Sequence, residues 1–160
     1  MREKNIYLAG AMGCYGNNQA KATMWRFDAE ESIKRHVVSH DGVLTKWNII
    51  NPCDYYMYGE GLHHTEKEVM RFDLNRVNNS DVILVNLNDL DRSIGTSDEI
   101  LYAYLHGIPM IGFLQTDETL SENEIKELLH PWKYEQINRI ETGLDALEKA
   151  VDYICTYYRY

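Results

Sequence analysis

Two carboxylates in this chain stand where a carboxylate needs a reason. Asp73 comes four residues after Val69 and four before Val77, so on a helix it shares their apolar, core-facing side. An acidic group there is costly unless it is paired, hydrogen-bonded or functional, and Arg76 or a neighbouring helix end could supply the pairing. Glu99 closes the run Thr96-Ser97-Asp98-Glu99, which opens a helix after a strand and a polar loop. In open α/β sheets ligands bind at the carboxyl ends of strands, which is where this order puts Glu99. A carboxylate at that point can serve as nucleophile or acid–base group, or it can close a capping box on Thr96. Spacing alone does not separate these roles, because Thr65-x-x-Glu68 and Ser121-x-x-Glu124 match the same pattern.

Other groups could assist. Tyr7 lies in the first apolar segment, as a core residue or with its hydroxyl reaching the site. Gly10, Gly13 and Gly16 follow it. Their spacing is not the GxGxxG fingerprint of dinucleotide sites, so NAD is not inferred, yet residues this small admit a ligand close to the backbone. Tyr55, Tyr56 and Tyr58 offer a surface on which a planar ring could stack, or they cover a core edge. His63 and His64 sit beside Glu66 and Glu68. Adjacent histidines point apart and no third ligand is evident, so no metal site is expected.

The elements that must position these groups alternate. Apolar runs at 5–12, 47–50, 82–87 and 108–114 read as strands, with a shorter one at 136–140. Helical patterns occupy 18–36, 65–78, 96–104, 121–129 and 144–154. His130-Pro131-Trp132 reads as the stop of the fourth. The alternation predicts one α/β domain over residues 1–160, a doubly wound, flavodoxin-like sheet of about five parallel strands flanked by helices, in the order 2-1-3-4-5.

Composition narrows the partners. With 160 residues the chain is long enough for one proper core, and 44% hydrophobic with 26% charged residues is ordinary for a soluble protein. A formal net charge of -9 disfavours nucleic-acid polymers and anionic membranes, while leaving room for a small anion held by backbone amides at a helix N-terminus, with Ser93, Gly95 and Thr96 as candidates. The cysteines, Cys14, Cys53 and Cys155, are odd in number and scattered, as expected of free thiols in a reducing, cytoplasmic setting. No signal-peptide pattern or membrane-length apolar run is seen.

Several stretches together resemble the nucleoside 2-deoxyribosyltransferases over nearly the whole chain: IYLAGAM at 6–12, the Asp73 helix, SDVILVNL at 80–87, SIGTSDEILYA at 93–103, and a later IPMIGF. The resemblance implies cleavage of a nucleoside N-glycosidic bond, no cofactor, and a homo-oligomer whose neighbouring subunits complete each pocket. It implies Glu99 as nucleophile, Asp73 as the carboxylate that assists proton transfer to the base, and Tyr7 beside the nucleophile. Gly10, Met12, Asp91, Ser93, Gly95, Thr96 and the C-terminal Tyr160 are the expected substrate contacts, with His130 and Trp132 offered to a neighbouring subunit. Typical transferases place an aspartate near the sugar 5'-hydroxyl, for which the nearest candidates here are Asp91 and Ser93. Ser93, six residues before Glu99, resembles instead the related 5'-mononucleotide N-glycosidases, where a serine meets the phosphate. Three functions follow as expectations: transfer of deoxyribose between bases, hydrolysis of (deoxy)nucleoside 5'-monophosphates, or nucleotide binding without catalysis.

Overall fold

The computed structural model describes residues 2–36, 45–55 and 63–160. Tyr56 and Tyr58 lie outside the described residues. Five strands, β1 (Arg2–Ala9), β2 (Thr45–Ile50), β3 (Val82–Asn86), β4 (Met110–Gln115) and β5 (Arg139–Gly143), form one sheet in the order β2-β1-β3-β4-β5. Every pairing is parallel, with Tyr7 opposite both Ile50 and Ile83. Between them run α1 (Ala20–Arg35), α2 (Glu66–Asn78), α3 (Ile94–Leu105), α4 (Glu122–Leu128), α5 (Pro131–Gln136) and, last, α6 (Ala146–Tyr157). This is the doubly wound arrangement and strand order that the alternation predicts.

Strand alternation divides the interior in two. Ile6, Leu8, Val82, Leu84, Ile111 and Phe113 face α1 and α6, meeting Trp25, Ala29, Ile33, Val151 and Ile154. Tyr7, Ala9, Ile83, Val85 and Met110 face the other way, onto Val77 of α2 and Ile100 and Ala103 of α3. One register step in β1 would exchange these sets, so the alternation itself turns Tyr7 toward α2 and α3.

Some boundaries differ from the sequence reading. The first strand leaves the sheet at Gly10, where a Cβ would stand 2.7 Å from the Trp25 ring. The expected strand at 136–140 is displaced to Arg139–Gly143, because Pro131 does not only stop α4. It opens α5, where a missing N–H costs nothing in the first turn.

Candidate active site

The sheet reverses direction of winding between β1 and β3, and a cavity of about 690 Å³ opens at the carboxyl ends of those strands. Such a switch point is where open α/β sheets bind ligands. Four segments supply most of its wall, and Arg26 of α1 adds to it. Gly10, Met12, Gly13 and Cys14 come from the loop after β1, and Pro52 and Tyr55 from the turn after β2. Glu66, Val69, Met70, Asp73 and Leu74 come from α2, and residues 92–96 with Asp98 and Glu99 from the start of α3.

Glu99 is not in a capping box. α3 begins at Ile94, with Ser97 N–H donating to the Ser93 carbonyl at 3.1 Å, so Glu99 is the sixth helical residue and sits on the second turn. Thr96 is buried, and its hydroxyl is 2.8 Å from that of Ser93. Freed from capping, the Glu99 carboxylate points inward and accepts a 2.6 Å hydrogen bond from the Tyr7 hydroxyl. Tyr7 is therefore a fully buried core residue whose hydroxyl bonds a residue of the cavity lining.

Burial pushes the Glu99 carboxyl up to about 8, with the nearby Asp73 and Asp98 charges adding to the rise. The Tyr7 hydrogen bond and the Arg26 guanidinium act in the opposite sense. Tyr7 is itself held well above the usual phenol range by burial and by the Glu99 and Asp73 carboxylates. Tyr55 is raised by burial and by Asp73, so it belongs to the same charge cluster. Asp73 lies half-buried on the α2 face that carries Val77, as its spacing predicts, and it lines the cavity. Arg76, the partner considered from sequence, is stacked over Phe72 at 4.8 Å.

The substrate-binding candidates divide. Gly10, Met12, Ser93, Gly95 and Thr96 line the cavity. Asp91 does not. The 3-10 turn Leu90–Arg92 buries Leu90, turns Asp91 to solvent, and brings Arg92 onto the cavity wall in its place. Tyr160 also lies away from this chain's cavity. Lys4 donates to its carbonyl at 2.8 Å, and Thr45, the first residue of β2, donates to the Arg159 carbonyl at 3.0 Å. The C-terminus thus sits at the opposite, amino end of the sheet. His130 and the exposed Trp132 begin α5, which is tied to α3 where Lys133 Nζ donates to the Ser97 carbonyl at 2.7 Å.

Two features escaped the sequence reading. Arg26 is fully buried and lines the cavity. It occupies the mostly apolar stripe Ala22, Arg26, Ala29 and Ile33 of α1, the same kind of signal that singled out Asp73. The second is a latch over the cavity rim: Tyr15 donates to Asp89 Oδ2 at 2.9 Å, and Arg92 donates to the Cys14 carbonyl at 3.1 Å. Asp89 adopts φ 57, a conformation an aspartate tolerates better than most residues. Among the described residues no cluster of three His, Cys, Asp or Glu side chains could hold a metal ion, and the cysteines are free thiols. No described helix is long and apolar enough to cross a membrane.

No protein-family model matches the chain, and no curated protein matches it by sequence. Solved structures do. A conserved protein from Enterococcus faecalis V583 aligns over 94% of this chain and 98% of its own, at 16% identity and a TM-score of 0.66. The CMP N-glycosidase of Clostridium botulinum aligns over 93% of this chain and 96% of its own, at 12% identity and a TM-score of 0.54. The 2-deoxyribosyltransferase of Bacillus psychrosaccharolyticus aligns over 79% and 82%, at 21% identity and a TM-score of 0.50. With its five parallel strands in the order 2-1-3-4-5, the chain shares the fold of the solved 2-deoxyribosyltransferase and N-glycosidase structures.

Proposed function

We propose that this chain cleaves the N-glycosidic bond of 2'-deoxyribonucleosides through a covalent ester on Glu99 and transfers the deoxyribose to a second nucleobase. The observation that carries this reading is the Tyr7–Glu99 hydrogen bond at a cavity that Glu99 and Asp73 both line. Glycosyl transfer with a covalent intermediate requires two carboxyl groups in different protonation states. A carboxylate forced into a buried site beside another carboxylate readily keeps one proton between the two.

In the reactive arrangement that proton resides on Asp73 and Glu99 is the anion. Glu99 attacks C1' as the bond to the base breaks. The bonding pair leaves on the base nitrogen, and Asp73 gives its proton to the base. The transition state is oxocarbenium-like, and the product is a glutamyl ester of deoxyribose. An incoming base, deprotonated by Asp73, then attacks C1' and frees Glu99. Tyr7 aligns the Glu99 carboxylate through both steps. No metal or organic cofactor takes part in this scheme, and its partners are a nucleoside and a free nucleobase.

A second reading, hydrolysis of (deoxy)nucleoside 5'-monophosphates, is favoured by the cavity wall at the start of α3. Arg92, Ser93 and Thr96 line it beside the first amides of α3, a combination suited to a phosphate. Water then replaces the second base. Incubating the protein with deoxynucleosides and with their 5'-monophosphates, with and without an acceptor base, and following products by chromatography separates the readings. A new nucleoside formed only when acceptor is present supports transfer, whereas free base from the monophosphate alone supports hydrolysis. If no bond is cleaved in any mixture, the protein is a binding module. Ser93→Ala should weaken binding of the monophosphate and leave the nucleoside nearly unchanged.

The proposal includes assembly. On α3 the exposed residues Ile94, Leu101 and Leu105 fall at i, i+7 and i+11, an apolar stripe beside the cavity mouth, with exposed Met70 on α2 and Trp132 on α5. A neighbouring subunit covering that surface would bury it and close the pocket, with His130 and Trp132 at the contact. Sedimentation of a fully active monomer at working concentration would exclude this part of the proposal. The reducing, cytoplasmic setting expected from the free cysteines belongs to the same reading.

A further inference from the structure

The most unusual charge in the molecule is the guanidinium of Arg26. It is fully buried, with Nη1 donating to the Ala22 carbonyl at 2.6 Å and Nη2 to the Gly10 carbonyl at 2.9 Å. Its plane lies against the Trp25 ring, 4.4 Å from the centroid. Among the described residues Arg26 makes no ion pair, and its Nε has no hydrogen-bond partner. A buried cation without a carboxylate partner is costly, and leucine or methionine would fill the same stripe of α1 without that cost. The side chain also lines the cavity that Glu99 lines.

We propose that Arg26 is a positioning residue for Glu99, a fixed positive charge, anchored by two backbone carbonyls in the wall of the same cavity, that favours the anionic, nucleophilic form of the Glu99 carboxyl against the burial that opposes it. This rests on the reading of Glu99 as nucleophile. The geometry explains why the charge is an arginine. Arginine stays protonated when buried, although burial lowers its pKa, and its planar fork satisfies two carbonyls while the delocalised charge remains directed at the cluster. A lysine there would have one flexible point of attachment and would lose its proton more readily.

Several other groups face Glu99, and the balance among them is explicit. Tyr7 on β1 donates a hydrogen bond to it. Asp73 on α2 and Asp98 on α3 oppose its ionisation. Tyr55, after β2, senses both Asp73 and Glu99, and Cys53 in the same turn lies beside Arg26. Lys133 from α5 faces Asp98 and tempers that charge. Arg26 is the cation in this set that acts on Glu99 itself. It also ties the Gly10 carbonyl to α1, so loss of the side chain has a structural consequence that the test must separate from the electrostatic one.

The first measurement uses the wild-type protein and needs no substrate. The Arg26 Nε–H resonance of arginine-labelled protein, assigned by its absence in Arg26→Lys, should shift with pH with a midpoint near 8 as Glu99 ionises, and the shift should vanish in Glu99→Gln. An Arg26 signal that does not move across that range, or that moves identically in Glu99→Gln, overturns the proposal. The second measurement is the pH dependence of kcat/KM. Arg26→Gln should move the ascending limb up by about one pH unit or more, a loss of about tenfold or more at neutral pH, while Arg26→Lys should recover part of the shift. A folded Arg26→Gln protein whose activity falls with the limb in its original place shows a structural role only. If Arg26→Gln does not fold, the wild-type titration decides alone. Because that titration reports Glu99 whatever the enzyme turns over, it can succeed even if glycosyl transfer is the wrong reaction.

Discussion

Glu99 and Glu124 are three residues after a threonine and a serine respectively, and the two sequences match one helix-start pattern. Their fates are opposite. At α4, Ser121 is the N-cap: its N–H donates to Glu124 Oε2 at 2.7 Å, the Glu124 N–H returns to the Ser121 hydroxyl at 3.4 Å, and the glutamate lies exposed. Those bonds hold the Glu124 carboxyl below its usual range. At α3 the helix starts three residues earlier than the pattern implies, with Ser93 and not Thr96 at the N-cap, Thr96 pairs with Ser93, and Glu99 swings to the interior, where burial raises it to about 8. One glutamate stabilises the fold by being charged, and the other is charged at the expense of the fold. A side chain held against its solvation preference is the better candidate for chemistry.

The largest expected effect tests that contrast directly. Glu99→Gln keeps the size of the side chain and can still accept from Tyr7, but it removes the carboxylate proposed as the nucleophile. Turnover should fall by about three or more powers of ten with the fold intact. Its stability should change in the opposite direction. Because the folded protein keeps the Glu99 proton until about pH 8 while the unfolded chain releases it near the ordinary glutamate value of 4.5, stability drains away as pH rises between those values. The melting temperature of Glu99→Gln should therefore exceed that of wild type well above pH 8 and match it in acid. A folded Glu99→Gln protein working at near wild-type rate would reduce Glu99 to a structural residue.

Asp73→Asn comes next. An amide cannot pass a proton to the departing base, so kcat should drop by about 10²–10⁴, the usual range for a general acid. Substrates with better leaving groups should lose least, and an equal loss for all of them would place Asp73 outside proton transfer. Tyr7→Phe removes the hydrogen bond that opposes the rise at Glu99, so the ascending limb of kcat/KM against pH, near 8 in wild type, should move upward. A limb that stays in place would separate Tyr7 from the ionisation of Glu99.

The smallest effects belong to α4. Ser121→Ala should cost about 0.5–2 kcal/mol in unfolding experiments, the usual loss for an N-cap, and leave turnover unchanged. Glu124→Gln should lower the melting temperature slightly at neutral pH. The difference should close in acid, because a carboxylate held below its unfolded value stabilises only while it is ionised. Altered catalysis in either variant would mean that α4 reaches the site by a route absent from the contacts described above.

The periodicities of the chain determined the layers. Alternation along β1, β3 and β4 set two faces, and the order of strands and helices set a parallel sheet with a reversal between β1 and β3, hence the place of the cavity. The spacing of Asp73 with Val69 and Val77 was enough to mark it, because a helix repeats its faces every three to four residues whatever surrounds it. Short-range spacing could not say where α3 begins, since helix starts are decided by which amides and hydroxyls find partners in three dimensions. Asp91 and Tyr160 show the same limit: a single 3-10 turn sends one to solvent, and the path of α6 carries the other to the far end of the sheet. Arg26 needed the fold most. Its stripe on α1 is legible, but the meaning of a buried charge depends on what lies across from it, and Tyr7, Gly10, Asp73 and Glu99 are brought there from three other elements of the chain. Coulomb forces and desolvation act through space and over distances unrelated to sequence separation, so tertiary structure alone could assemble that cluster.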